Sequence, residues 1–252
     1  MKIQDSVAIV TGGNRGIGEE FVIALVAAGA ARVYVGARNP DSARHLAEQF
    51  GERVFPVRLD VTDEALVGEV ARRCSDTTIV VNNAGEFLHK TLIQADSLDA
   101  ARREMEVNYF GVLSMCREFA PVLKSNGGGA IVNVLSVGAI VAAPNMGGYS
   151  PSKSAARALT TNVRAELASQ GIQVSGLIVG SVDTRMATHV QGSKEPPTKI
   201  ATAGLKAIER NIPEIDTDAM AISTRAALAR DPARLEREMA SLLDAKVIST
   251  GK

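Results

Sequence analysis

Short apolar runs alternate with stretches of helical periodicity through the first 180 residues or so of the chain. Val7 to Val10, Arg32 to Gly36, Val54 to Leu59, Ile79 to Val81, Ala130 to Val134 and Val174 to Val179 read as six strands. Their apolar positions are consecutive rather than alternating, which marks strands buried on both faces. Between them, Phe21, Ala24, Leu25 and Ala28 share one face of a helix. Val112, Met115, Cys116 and Phe119 stand at i, i+3, i+4 and i+7 of a long helix between Leu98 and Phe119. Another, from about Ser152 to Gln170, aligns Ala155, Leu159, Val163 and Leu167 and meets Gly171 where a C-cap belongs. This alternation predicts an α/β fold, a doubly wound parallel sheet with helices on both faces. Right-handed crossovers then put the ligand at the carboxyl ends of the strands.

From about Thr184 to Asp216 the strand pattern disappears, and Gly192, Pro196, Pro197, Gly204 and Pro213 punctuate a polar stretch. It reads as a lid over a substrate or as an ordinary surface excursion. Residues 217–252 form a tail, with an exposed helix over Ala233 to Leu243. No repeat or low-complexity linker divides the chain, so residues 1–252 read as one domain whose core spans 5–186.

Composition narrows the function. Of 252 residues 46% are apolar, ample for a core and too many for a disordered chain. Lys plus Arg and Asp plus Glu number 28 each, and a zero net charge argues against a nucleic-acid binder. Cys74, Cys116, His45, His89 and His189 are scattered without metal-ligand spacing, so they read as packing or surface residues and no metal site is expected. The N-terminus lacks a signal-peptide pattern, and no run approaches the ~18 apolar residues of a membrane span. A cytoplasmic protein without membrane partners is the expectation.

Thr11-Gly12-Gly13-Asn14-Arg15-Gly16-Ile17-Gly18 joins the first strand to the first helix. Glycines there let the backbone approach a pyrophosphate, and the helix N-terminus supplies free N–H groups and a positive dipole end. The second strand ends in Gly36-Ala37-Arg38, with a guanidinium where a carboxylate would accept a ribose 2′-hydroxyl. Arg grips a 2′-phosphate through charge-assisted contacts, and Arg15 adds a second cation. NADP(H) is therefore favoured over NAD(H), unless Arg38 is only a solvated residue of the turn at Asn39-Pro40-Asp41. Tyr149-Ser150-Pro151-Ser152-Lys153 puts a phenol and an amine on one side of a helix start. A free phenol has a pKa near ~10. A neighbouring amine and a cationic nicotinamide favour the phenolate, moving it toward the range of efficient proton transfer. Ser136, ending the fifth strand, stands where its hydroxyl holds a carbonyl oxygen.

On these motifs the chain resembles the classical short-chain dehydrogenases/reductases, in particular their carbonyl-reducing members. The matching pieces are Thr11 to Gly18, Asp60-Val61, Asn82-Asn83-Ala84-Gly85, Asn108, Ser136, Tyr149 with Lys153, and Val182-Asp183-Thr184, in family order and spacing over about residues 5 to 186. The resemblance implies a Rossmann-type fold. It also implies Tyr149 as general acid/base, Ser136 polarising the carbonyl, and Lys153 holding the nicotinamide ribose while lowering the Tyr149 pKa. Asn108 would keep a water in a proton relay, or satisfy a helix kink. Gly12, Asn14, Arg15, Gly16, Ile17 and Gly18 would cradle the pyrophosphate, and Asp60 and Val61 would flank the adenine. Asn83, Ala84 and Gly85 would line the adenosine side, and Val182 and Thr184 would hold the carboxamide. Val179-Gly180 replaces the usual Pro-Gly, which implies a looser turn. The C-terminus lacks the Gly-rich last strand that many members use in tetramers, leaving a homodimer through the long helices or a homotetramer.

The function these readings imply is NADPH-dependent reduction of a ketone or aldehyde. The alternatives are a 3-oxoacyl-carrier-protein reductase, docking its acidic carrier on Arg102 and Arg103, and a non-catalytic NADP(H)-sensing protein. The apolar stretch Val137 to Gly148 points to a hydrophobic substrate or, equally, to packing under a helix.

Overall fold

The six apolar runs are strands in the computed structural model, which describes residues 1–188, 190 and 192–249. They are β1 (Val7–Thr11), β2 (Arg32–Ala37), β3 (Val54–Arg58), β4 (Ile79–Asn82), β5 (Gly129–Val134) and β6 (Ile172–Ile178). A seventh, β7 (Glu214–Asp216), joins them in one parallel sheet of order β3-β2-β1-β4-β5-β6-β7. The order reverses between β1 and β4, and a crevice opens at that switch point.

Strand periodicity sorts the core into two layers. On one face, Ala8, Val10, Val33 and Val35 pack under α1 (Gly16–Ala27), α2 (Arg44–Phe50) and α7 (Pro197–Arg210). On the other, Ile9, Val57, Val80 and Ile131 pack under α3 (Glu64–Arg73), α5 (Gly111–Ser125) and α6 (Tyr149–Leu167). Cys74 and Cys116 belong to this second layer, and burial pushes their thiols up to about 11 and about 12. Gly171 takes a left-handed conformation (φ +70°) after the turn that ends α6, the expected C-cap.

Three expectations need correction. Residues 184–216 are not a strandless lid: α7 and β7 lie within them, and Ile200, Ala201, Ala207 and Ile208 of α7 are fully buried. Pro196-Pro197 looked like loop punctuation, yet Pro197 begins the helix, where a missing N–H costs nothing. The helix expected between Leu98 and Phe119 is present but longer, unbroken from Asp99 to Ser125: α4 (Asp99–Met105), a π turn over Glu106–Phe110, and α5, which runs on through Pro121. The Val112, Met115, Cys116 and Phe119 face is inward as expected. Finally, the turn at Gly180 is braced: Asp218, buried at the N-cap of α8 (Ala219–Arg230), accepts its N–H at 2.7 Å. The tail then forms α9 (Pro232–Ser249); His189 and residues 250–252 lie outside the described residues.

Candidate active site

A cleft of about 720 Å³ runs along the carboxyl ends of β1, β2, β4, β5 and β6. At its middle lies the Gly-rich turn. Gly12 and Gly16 have φ of +61° and +57°, which L side chains rarely adopt. A Cβ on Gly18 would come within 2.2 Å of the Gly12 carbonyl oxygen, so the turn needs glycine there to close. Arg15 stands at the N-cap of α1 with no side-chain cap, leaving the first-turn N–H groups directed at the cleft. Asn83 locks the turn to β4 by donating from Nδ2 to the carbonyls of Thr11 (2.9 Å) and Gly12 (3.1 Å). An open-ended helix start and a backbone without side chains fit a dinucleotide's pyrophosphate.

On the β2 side the cleft is lined by Asn14, Arg15, Arg38, Asp60 and Val61. Asn14 donates to Ser42 at 3.0 Å, tying the Gly-rich turn to the loop after β2. Burial alone would raise the Asp60 carboxyl, but hydrogen bonds from the Thr62 N–H (3.0 Å) and hydroxyl (2.8 Å), with the charges of Arg103 and Arg38, hold it below its ordinary value. Arg38 therefore lies close enough to Asp60 for their charges to interact, on the wall where an adenosine ribose would sit.

At the other end Ser136, Tyr149 and Lys153 line the cleft together, all largely buried. Ser136 Oγ accepts the Gly138 N–H at 3.0 Å, which turns its hydroxyl hydrogen away from that loop. Burial raises the Tyr149 phenol; Ser136 acts against this and the charge of Glu104 adds to it. The Lys153 amine lies 5.8 Å from the Tyr149 ring centroid and donates to the Val134 carbonyl at 2.9 Å. Burial lowers its pKa to about 8. The expected lowering of Tyr149 by Lys153 is thus absent from the protein alone: burial dominates, and the amine is itself shifted toward neutrality.

Gly18 and Asn108 are the two expected site residues that do not line the cleft. Gly18 stands behind the Gly-rich turn. Asn108 is fully buried in the π turn, where it accepts the Glu86 N–H (2.9 Å) and donates to the Glu86 carbonyl (2.9 Å) and to Ser152 (3.0 Å). Gly12, Gly16, Ile17, Ala84, Gly85, Val182 and Thr184 all reach the cleft. Thr184 approaches the Gly-rich turn closely: a Cβ on Gly16 would lie 3.2 Å from its methyl.

Sequence reasoning missed Phe87, His89 and Met186, which line the cleft. The Phe87 ring meets the Tyr149 ring at 4.8 Å and the His89 ring at 3.9 Å. Only their proximity to the Asn83-Ala84-Gly85 and Thr184 motifs signalled them. The apolar stretch Val137 to Gly148, by contrast, does not line the cleft. Ala139 packs with Leu135, Ala156, Ile178 and Ala221 beneath α8, so its hydrophobicity serves packing. Of the two arginines named for an acidic carrier, Arg103 is paired with Glu86 at 2.8 Å, whereas Arg102 is exposed, 3.9 Å from an equally exposed Asp99.

Residues 6–195 match the family described as short chain dehydrogenase. The chain is 34% identical over 193 residues to the 7alpha-hydroxysteroid dehydrogenase of Escherichia coli (strain K12), covering 73% of this chain and 74% of that one. A short chain dehydrogenase from Burkholderia cenocepacia J2315, solved in complex with NADP, is 41% identical and superposes with a TM-score of 0.90 over 95% of this chain and 99% of its own. The 3-ketoacyl-(acyl-carrier-protein) reductase of Brucella melitensis, complexed with NADH, is 25% identical with a TM-score of 0.79, covering 85% and 98%.

Proposed function

The chain belongs to the short-chain dehydrogenase family of oxidoreductases, and from that premise we propose that it reduces a ketone or aldehyde to an alcohol with NADPH. The observation that carries this reading is one continuous cleft with the uncapped Gly-rich turn at its middle and Ser136, Tyr149 and Lys153 at one end. When bound, the reduced nicotinamide supplies the hydride. Gly12, Gly16 and the start of α1 would hold its pyrophosphate, Lys153 its ribose, and Val182 and Thr184 its carboxamide.

The Ser136 hydroxyl, oriented by Gly138, donates to the substrate carbonyl oxygen and draws it toward Tyr149. A phenol raised by burial is protonated at neutral pH, the state a proton donor needs in the reductive direction. Tyr149 gives that proton to the carbonyl oxygen as the carbon is reduced. The Asn108 side chain is committed to Glu86 and Ser152, so it supports the bend behind Lys153, and a relay water would have to use its backbone carbonyl. Phe87 and Met186 support a hydrophobic substrate. Arg38 and Arg15 support NADPH, as does the NADP-bound Burkholderia relative, although the Brucella reductase carries NADH. Exposed Leu98 and Phe110, at either end of the α4 and π-turn segment, support a homodimer through this helical face.

The test is initial rates on a panel of alkyl and aryl ketones and aldehydes with NADPH and NADH side by side. Turnover with NADPH dominant is expected; turnover with NADH alone would overturn the cofactor assignment, and none with either would overturn the activity.

A further inference from the structure

Glu104, at the end of α4, has no role in the reaction just described, yet its carboxylate is buried, with the residue 1% exposed, and close enough to Tyr149 for its charge to act on the phenol. Placing a carboxylate there costs desolvation that an apolar side chain of the same size would avoid. Its two oxygens face different elements. Oε1 accepts the Leu88 N–H at 2.7 Å. Oε2 has no hydrogen-bond partner among the described residues and lies against Gly148, where a Cβ would come within 2.7 Å of it. Leu88 follows Phe87, whose ring backs Tyr149, and Gly148 is the residue from which α6 and Tyr149 start.

We propose that Glu104 is a positioning residue for Tyr149, pinning the Phe87 ring across the phenol through Leu88 and presenting its charge to the phenol from the start of α6. The Leu88 bond ties this segment to α4 one residue beyond the Phe87 ring, while Glu86 is held by the Asn108 bonds and the Arg103–Glu86 pair. A negative charge near the phenol opposes its ionisation and keeps the proton on the donor. The charged and titratable groups around Glu104 are Glu86, paired with Arg103, then Tyr149, and Lys153 and His89 along the same cleft. Burial, followed by the charge of Glu86, raises the Glu104 carboxyl itself, against the pull of the Leu88 N–H.

The kinetic half of the proposal rests on the reductase reading; the spectroscopic half does not. The chain has no Trp and three Tyr, so tyrosinate absorbance is readable in the near ultraviolet, and subtracting the matching Tyr149→Phe protein isolates residue 149. Glu104→Gln keeps an acceptor for Leu88 but removes the charge. It is expected to lower the Tyr149 ionisation midpoint by about one pH unit and to leave the carbonyl KM near wild type. Glu104→Leu removes both contributions and is expected to raise that KM about tenfold, with cofactor affinity unchanged. An unmoved midpoint in Glu104→Gln, or a wild-type KM in a folded Glu104→Leu, would overturn the proposal. If Glu104→Leu does not fold, the Glu104→Gln titration decides alone. If even the wild type reduces no carbonyl, the reductase reading fails while the titration still judges Glu104.

Discussion

Lys153 carries its charge into the protein at a cost that can be read from the pH dependence of folding. Its folded pKa is about 8, below the ordinary value of 10.5 that holds in the unfolded chain. Between these values the unfolded chain holds a proton that the folded one has released, so stability rises with pH across the window, and the full penalty applies below it. The effect is on the order of 3 kcal/mol. Buried Cys74 and Cys116 act the other way, because their raised pKa values withhold stability as the unfolded thiols ionise. Urea unfolding of wild type and Lys153→Met, compared from below pH 8 to above pH 10, separates the two contributions. The wild type should gain on the variant as pH rises; parallel curves would show that the amine is not buried as a cation. At this scale the sequence was legible where chemistry repeats as a motif. Ser136, Tyr149 and Lys153 lie where their spacing put them. What no spacing revealed was the electrostatics: burial, not the neighbouring amine, governs Tyr149. Glu104 left only a faint signal, one helical turn before Asn108 on the inward side.

Elements were legible where their apolar period was clean, as in the six buried strands and the inward face of α5. They were lost where tertiary contact overrides local signals. In α7, Gly204 looked like a breaker, but it is the point at which the helix touches α1: a Cβ there would lie 2.3 Å from the Phe21 ring. Gly204→Ala should therefore destabilise the fold by about 1–3 kcal/mol through overpacking, despite alanine's better helix propensity. A denaturant midpoint at or above wild type would mean that residues 197–210 do not pack on α1. β7 was too short to show a period, and besides its ladder to β6 it is tied down by charge. Arg225 forks onto Asp216 (2.6 and 2.8 Å) and reaches Glu214 at 2.8 Å, while Arg157 pairs with Glu214 at 2.7 Å. Ion pairs between residues far apart in sequence leave no periodic trace.

For the whole molecule, the sheet order and the site follow from one another: the reversal at β1 and β4 opens the cleft, and the ends of the strands on both sides of it form the walls. The architecture was legible because alternation and parallel burial constrain it strongly. Cofactor choice rests on fewer residues. Arg38→Ala is expected to raise the KM for NADPH about tenfold while changing that for NADH little, since only the former carries a 2′-phosphate. Equal changes would place Arg38 in solvent. Light scattering should give twice the chain mass if the α4 and α5 face is covered by a second copy, and a single-chain mass would contradict that.

The most direct test of the account is a single-turnover experiment comparing wild type with Tyr149→Phe, each saturated with NADPH and mixed with a ketone the wild type reduces. Cofactor binding, followed by its fluorescence, should be the same in both proteins, while NADPH oxidation should slow by about 10²–10⁴-fold in the variant. Equal oxidation rates in the two proteins would contradict the claim that the residue 149 hydroxyl delivers the proton at a bound dinucleotide.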